Sequence, residues 1–226
     1  MSILPRIQES GLSTSPMPKL SSRLLLVTDR HQTKGRPLLP LLQRALTVGA
    51  PAIQLRERDL SVRDLLALAR EVQALTAARR SQLLINDRID IALALEGAGV
   101  HLRSNSLPVS VARQLLGSER LLGLSVHGVE EAVQAESQGA DYVIFGPIYE
   151  TPSKQAFGPP LGLHSLEKVC RLVRIPIIGI GGVTAARVGE MRQAGAFGVA
   201  VITAILGADD VESAAGELFD AVMRAT

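Results

Sequence analysis

The chain has 226 residues, enough for one sizeable domain or two small ones, and a formal net charge of only +2. Aromatic residues make up 3% with no Trp, so the basic patch and stacking rings of a nucleic-acid binder are missing, and no apolar run approaches the roughly 18 residues that cross a bilayer. A single cysteine, Cys170 in LEKVCRLV, excludes a disulfide within the chain and points to a reducing, cytoplasmic setting, with Cys170 itself a small core residue.

Residues 1–20, MSILPRIQESGLSTSPMPKL, are rich in Ser and Pro and lack the continuous apolar stretch of a secretory signal. They are expected to form a flexible N-terminal extension, with residues 21–226 as one folded unit. Within that unit short apolar runs recur at 24–28, 51–55, 82–86, 98–102, 121–125, 141–145, 176–180 and 198–202, eight in all. Runs of continuous Val, Ile and Leu are what strands buried on both faces require. Helix-like stretches separate them at 38–48, 61–78, 109–116, 129–138, 165–173, 185–194 and 210–224. Several end in glycine before the next strand, as in Val48-Gly49-Ala50, Gln138-Gly139-Ala140 and Ala194-Gly195-Ala196. Eight such units predict a single (β/α)8 TIM barrel, with a doubly wound sheet as the alternative.

In that barrel class the chemistry sits at the C-terminal ends of the strands. Reading those exits in order gives Thr28-Asp29-Arg30, Gln54 with Arg56 and Arg58, Asn86-Asp87, His101, Ser125 with His127, Gly146 followed by Thr151, Ser153 and Lys154, then Gly181-Gly182, and Ile202-Thr203. Strand alternation puts Gln54, Arg56 and Arg58 on one side, where guanidinium forks suit phosphate oxygens. A plainer reading makes 56–59 a solvated turn in which Glu57 and Asp59 partner the arginines. Asn86-Asp87 either holds ligand or caps the next helix. GIGGVT is either a tight turn or an anion nest, the second being the phosphate placement common after strand 7 of such barrels. His101 either lines the pocket or supports it, and Asp29 either shapes the pocket floor or caps a loop.

The stretches LLLVTDR, AIQLRERD, LLINDRIDIALALEGAGVHL, LGLSVHGVEEAVQAESQGADYVIFGPIYETPSK and PIIGIGGVTAARVGEMRQAGAFGVAVITAI occur in order from Leu24 onward. Together they resemble the thiamine phosphate synthase and TenI family. That resemblance implies a Mg2+-dependent transferase joining hydroxymethylpyrimidine diphosphate to thiazole phosphate, with release of pyrophosphate. It also implies diphosphate ligands at Gln54, Arg56, Arg58, Asn86 and Ser125, and a magnesium ligand at Asp87. Thr151, Ser153 and Lys154 would form a loop that receives thiazole and pyrophosphate, with Lys154 a point charge beside the leaving group. Gly181, Gly182, Ile202 and Thr203 would cradle the thiazole phosphate. The partners implied are these small phosphorylated substrates, with oligomeric state left open and a homo-oligomer among the options.

One stretch departs from the family pattern. After the fourth strand the synthases read Val-His-Leu-Gly-Gln-x-Asp-Leu-Pro, their Asp being a second magnesium ligand, whereas this chain reads VHLRSNSLP. Arg103 stands for the Gly, Ser104 for the Gln and Ser106 for the Asp. A TenI-type thiazole tautomerase also lacks that Asp, needs no metal, and would use a histidine such as His127 to move protons. A non-catalytic barrel that binds thiazole phosphate is the third reading.

Overall fold

The computed structural model describes residues 19–49, 51–151 and 159–225. In chain order its elements begin with β1 (Leu24–Val27), α1 (Leu38–Ala45), β2 (Ala52–Leu55), α2 (Val62–Ala78), β3 (Leu83–Asn86) and α3 (Ile89–Leu93). Then come β4 (Gly99–Leu102), α4 (Val109–Leu116), β5 (Leu122–Val126), α5 (Val129–Ser137), β6 (Tyr142–Phe145) and α6 (Gly162–Leu172). The series ends with β7 (Ile177–Ile180), α7 (Ala185–Gln193), β8 (Gly198–Val201), α8 (Thr203–Leu206) and α9 (Val211–Arg224). Each strand pairs in parallel with the next, and β8 pairs with β1, closing the (β/α)8 barrel. Among the described residues no helix is long and apolar enough to cross a membrane.

Strand alternation divides the side chains into two populations. Leu24, Leu26, Ile53, Leu55, Ile85, Val100, Leu102, Val143, Phe145, Val199 and Val201 face the surrounding helices, packing with residues such as Leu42, Ala69, Val188 and Leu218. Leu25, Val27, Ala52, Leu84, Tyr142, Ile144, Ile178 and Ala200 fill the barrel itself, with Leu20 and Leu121 in the same cluster. Toward the strands' C-terminal ends the same inward rows turn polar, placing Gln54, Asn86 and His101 in buried positions. Register sets these side by side, with Gln54 opposite Leu84 and Asn86 opposite His101 on neighbouring strands.

The helices carry their own start signals. Ser61 accepts a hydrogen bond from the Asp64 amide before α2, and Asp210 accepts from the Glu212 and Ser213 amides before α9. Cys170 lies partly buried against the outer core, where burial lifts its thiol to about 11.

Tyr142 crosses the barrel only because β5 offers it no side chain at Gly123. A Cβ there would stand 2.1 Å from the Tyr142 ring carbon Cζ. Gly123→Ala is therefore an overpacking change, expected to cost about 1–3 kcal/mol. It should lower the urea midpoint with the denaturant slope unchanged; an unshifted midpoint would mean that Tyr142 has room to move.

Candidate active site

The rim of the barrel is assembled from the β1 side onward. Thr28, following β1, accepts the Arg56 amide on its hydroxyl at 2.9 Å and so fixes the start of the loop after β2. Asp29 serves two neighbours: one oxygen accepts the His31 amide at 3.1 Å, capping a short 3-10 turn, and the other meets the Arg56 guanidinium at 3.5 Å. Arg30 then takes both acidic residues of the β2 loop, Asp59 through two 2.6 Å contacts and Glu57 at 3.2 Å. Glu57 and Asp59 are thereby committed to Arg30 rather than to Arg56 or Arg58, and the plain solvated-turn reading does not hold. Burial, with the like charges of Arg56 and Arg103, pulls the Arg58 guanidinium below its usual value. Arg58 thus lies within electrostatic reach of two other guanidinium groups at this rim.

A chain of side-chain hydrogen bonds runs inward from these arginines. The Gln54 amide donates to Asn86 Oδ1 at 3.0 Å, and Asn86 donates in turn to Asp87 Oδ2 at 3.1 Å. Asp87 adopts φ of 61°, a left-handed conformation that Asp tolerates better than most residues. That conformation turns its carboxylate toward the loop after β4, away from the following helix. There Oδ1 accepts the Arg103 amide at 3.0 Å and the Ser106 hydroxyl, while Oδ2 accepts Arg103 Nε. Burial alone would raise the Asp87 carboxyl, but the Ser106 and Arg103 hydrogen bonds bring it below the usual carboxylate range. The capping alternative fails as well, since α3 starts after Arg88 with no side-chain cap.

At the centre of the barrel, Tyr142, His101 and Ser125 form a second chain. The Tyr142 hydroxyl lies 3.0 Å from His101 Nδ1, and His101 Nε2 lies 2.8 Å from the Ser125 hydroxyl. Both rings are fully buried, and burial lowers the His101 imidazole to about 3, so it is neutral. Burial also raises the Tyr142 phenol well above its ordinary value, so its O–H persists and needs an acceptor. His101 Nδ1 is that acceptor, which leaves the ring proton on Nε2 to donate to Ser125. Ser125 then keeps its own proton for an anion outside. Two residues along β5's direction, His127 is exposed, and its Nδ1 donates to the Gly146 carbonyl at 2.6 Å.

Across the mouth, the exits of β6 and β7 are laced together. The Ile148 amide donates to the Ile180 carbonyl at 2.8 Å and the Tyr149 amide to the Gly181 carbonyl at 3.2 Å. Gly181 and Gly182 have φ of 99° and 63°, and a Cβ on either would collide with Pro147, Tyr149 or the Glu150 carbonyl. Arg187 donates to the Gly182 carbonyl at 2.7 Å while lying over the Tyr149 ring at 4.4 Å. Ile202 precedes the four-residue α8, whose first residue is Thr203, so leading helix amides sit at the exit of β8. Thr151 is partly buried and is the last described residue before the segment 152–158; Ser153 and Lys154 lie outside the described residues.

With this geometry in hand, a family model described as thiamine monophosphate synthase matches residues 24–205. The thiamine-phosphate synthase of Roseiflexus castenholzii is 44% identical over 209 residues, covering 92% of this chain and 92% of its own. The chain belongs to the thiamine monophosphate synthase family. Another relative, the thiamine-phosphate synthase of Moorella thermoacetica, is 47% identical over 191 residues, or 84% of this chain and 91% of that one. Among solved structures, thiamine phosphate pyrophosphorylase from Pyrococcus furiosus matches with a TM-score of 0.82 at 33% identity, covering 90% of this chain and 96% of its own.

For this thiamine monophosphate synthase family member, the donors around Asp87 do not fit the magnesium expected from the sequence. The carboxylate has about four acceptor positions, and four donor groups from Asn86, Ser106 and Arg103 already use them. Two contributions were not visible in the sequence pattern: Arg103 as the partner of Asp87, and Tyr142 as the residue that orients His101. A buried tyrosine facing a glycine on the neighbouring strand was the available signal for the second.

The assigned ring state of His101 has two checkable consequences. Nitrogen NMR should report the Nε2–H tautomer without titration between pH 8 and about 4.5, whereas a midpoint near the ordinary 6.5 would remove the Tyr142–His101–Ser125 chain. The sign for stability follows from the lowered value of about 3. The unfolded imidazole takes a proton below about 6.5 and the native one does not, so native stability is full above about 6.5 and falls as pH drops toward 3. Urea unfolding between pH 7 and 4 should show a steeper loss for the wild type than for His101→Gln.

Proposed function

We propose that the chain is a thiamine-phosphate synthase, joining hydroxymethylpyrimidine diphosphate to thiazole phosphate with release of pyrophosphate. The observation that carries this reading is the cluster of Arg56, Arg58 and Arg103 around the Gln54–Asn86–Asp87 hydrogen-bond chain. Such a cluster suits a polyanion better than any neutral substrate, because each guanidinium offers parallel donors to phosphate oxygens. In the reaction the bond from the pyrimidine methylene to the diphosphate oxygen breaks, and the thiazole nitrogen forms the new bond to that carbon. The electron pair of the broken bond ends on pyrophosphate. Arg56, Arg58 and the outward proton of Ser125 face that growing charge, and the gain lies in donors fixed before the charge develops. Lys154 joins them on sequence grounds, as a point charge on the segment after β6. The glycine turn at Gly181–Gly182 and the start of α8 at Thr203 suit the phosphate of the second substrate. A cytoplasmic location accords with the one free cysteine, and small phosphorylated substrates are the partners this reading requires.

A second reading, a thiazole tautomerase, is favoured by His127. Its Nδ1 proton is engaged by the Gly146 carbonyl, so the neutral ring presents the Nε2 lone pair as a base.

The deciding assay supplies the purified protein with both synthase substrates, and in parallel with the unaromatised thiazole, following thiamine phosphate and the aromatic thiazole separately. Thiamine phosphate formation is expected, with Arg58→Ala and Lys154→Ala each lowering it by about 10^2 to 10^3, the usual effect of removing one preorganised donor. His127→Asn should be a milder lesion than either. Aromatisation without thiamine phosphate, lost in His127→Asn, would replace the synthase reading with the tautomerase.

A further inference from the structure

We infer that Arg103 is a resident cation of the diphosphate site, doing with a guanidinium what a divalent ion would otherwise do, so that pyrophosphate binds here without metal. The inference rests on the synthase reading for the identity of the anion, and on the loop after β4 for its mechanism.

Three observations converge on that loop. Arg103 meets Asp87 twice, through its backbone amide at 3.0 Å and through Nε. An arginine docked by Nε keeps the two terminal nitrogens of its fork for another acceptor, and the Arg103 side chain is 40% exposed. Ser106, three residues on, donates its hydroxyl to the same carboxylate and accepts the Arg103 amide at 3.1 Å, while its own amide closes a turn on the Arg103 carbonyl at 3.0 Å. A carboxylate at position 106 would repel Asp87 and attract a cation between them. The serine instead ties Asp87 into the turn that presents Arg103.

The remaining carboxylates at this rim are committed in the same manner. Asp29 is held by the His31 amide and Arg56, Asp59 by Arg30, and Glu57 by Arg30 through Oε2, its Oε1 being buried without a partner among the described residues. Divalent magnesium wants near-octahedral oxygen ligands at roughly 2.0–2.1 Å and is normally anchored by one or two carboxylates. Seating it on Asp87 would require displacing a guanidinium, an amide or a hydroxyl already hydrogen-bonded there. A diphosphate arriving at Arg58 and at the terminal nitrogens of Arg103 leaves the Asp87 contacts in place, and at Arg56 it competes only with the 3.5 Å contact to Asp29. Substituting an arginine for a metal in this way exchanges a compact double charge for a planar fork that binds two oxygens at once.

The test is titration calorimetry of the full chain with inorganic pyrophosphate, in EDTA and then in excess Mg2+. The wild type is expected to bind in EDTA, with magnesium changing the dissociation constant less than about threefold. Arg103→Gly should weaken binding in EDTA by about tenfold or more, the scale of one lost charge-assisted contact, and magnesium should restore part of it. Arg103→Gln, which keeps the stem and one amide, serves where the glycine variant melts early, and should weaken binding in EDTA to a similar degree. Adding Ser106→Asp to Arg103→Gly should make binding fully magnesium-dependent. Wild-type binding seen only with Mg2+, absent under both conditions, or unchanged by either Arg103 substitution would overturn the inference. Because the readout is binding, pyrophosphate held in EDTA by a protein that forms no thiamine phosphate would sink the synthase reading and leave the role of Arg103 standing.

Discussion

Closure of the parallel sheet is the constraint from which the arrangement at the mouth follows. Once β8 pairs with β1, alternate residues of every strand point into a space that cannot be relieved by splaying an edge. Along the lower part of the barrel Leu25, Ala52, Leu84, Ile178 and Ala200 fill that space with hydrocarbon. One step nearer the rim the same rows carry Gln54, Asn86, His101 and Ser125, which are too polar to be buried without partners. They find them mainly in each other, so the hydrogen-bond chains are a consequence of where the alternation places these side chains.

Charge at the rim is ordered by a division of labour among arginines. Arg30 neutralises Glu57 and Asp59, Arg103 neutralises Asp87, and Arg56 leans on Asp29. Pairs as exposed as Arg30 with Asp59 contribute little to stability, typically below about 1 kcal/mol. Their effect is positional: they occupy the acidic residues of the β2 loop, so Arg58 on the same loop has the like charges of Arg56 and Arg103 for neighbours, offset only in part by Asp87 and Asp29. A repulsive cluster of this kind is held by the fold and relieved by an anion, which makes it a recognition device rather than a stabilising one.

The barrel was legible because buried parallel strands write themselves as uninterrupted runs of Val, Ile and Leu. All eight fall within one residue of the positions read from those runs. The helices were read less sharply: α1 stops at Ala45 rather than 48 and α6 starts at Gly162 rather than 165. One helix, α8, was missed, since four residues are too short to display a helical period, and α3 was read only as a helix beginning near Arg88. Alternation placed Gln54, Arg56 and Arg58 on one side of an extended segment, and reading the strand exits in order added Asn86 and Ser125 to the same mouth. What the sequence did not reveal was partner choice. Whether Glu57 belongs to Arg30 or Arg56, and whether Asp87 caps a helix or holds Arg103, depends on distances between loops far apart in the chain. Lys154 and Ser153 fall outside the described residues.

Ser125 and His127 illustrate how far partner choice governs chemistry. They lie two residues apart at the end of β5, on the same side by alternation, and both carry groups that either give or accept a proton. Ser125 receives a hydrogen bond from His101 and is therefore a donor to whatever lies outside. His127 spends its Nδ1 proton on the Gly146 carbonyl and is therefore, when neutral, an acceptor at Nε2. One strand end consequently presents a donor nearer the barrel axis and an acceptor nearer solvent. An anion that develops charge during reaction is best met by the donor, held in place by a neutral, buried imidazole whose orientation Tyr142 fixes from the opposite ring nitrogen. Charge stabilisation thus has the preorganised group behind it, while proton transfer is left to an exposed ring held by one carbonyl. That asymmetry in support is the physical reason for ranking bond cleavage by charge stabilisation above tautomerisation in this barrel.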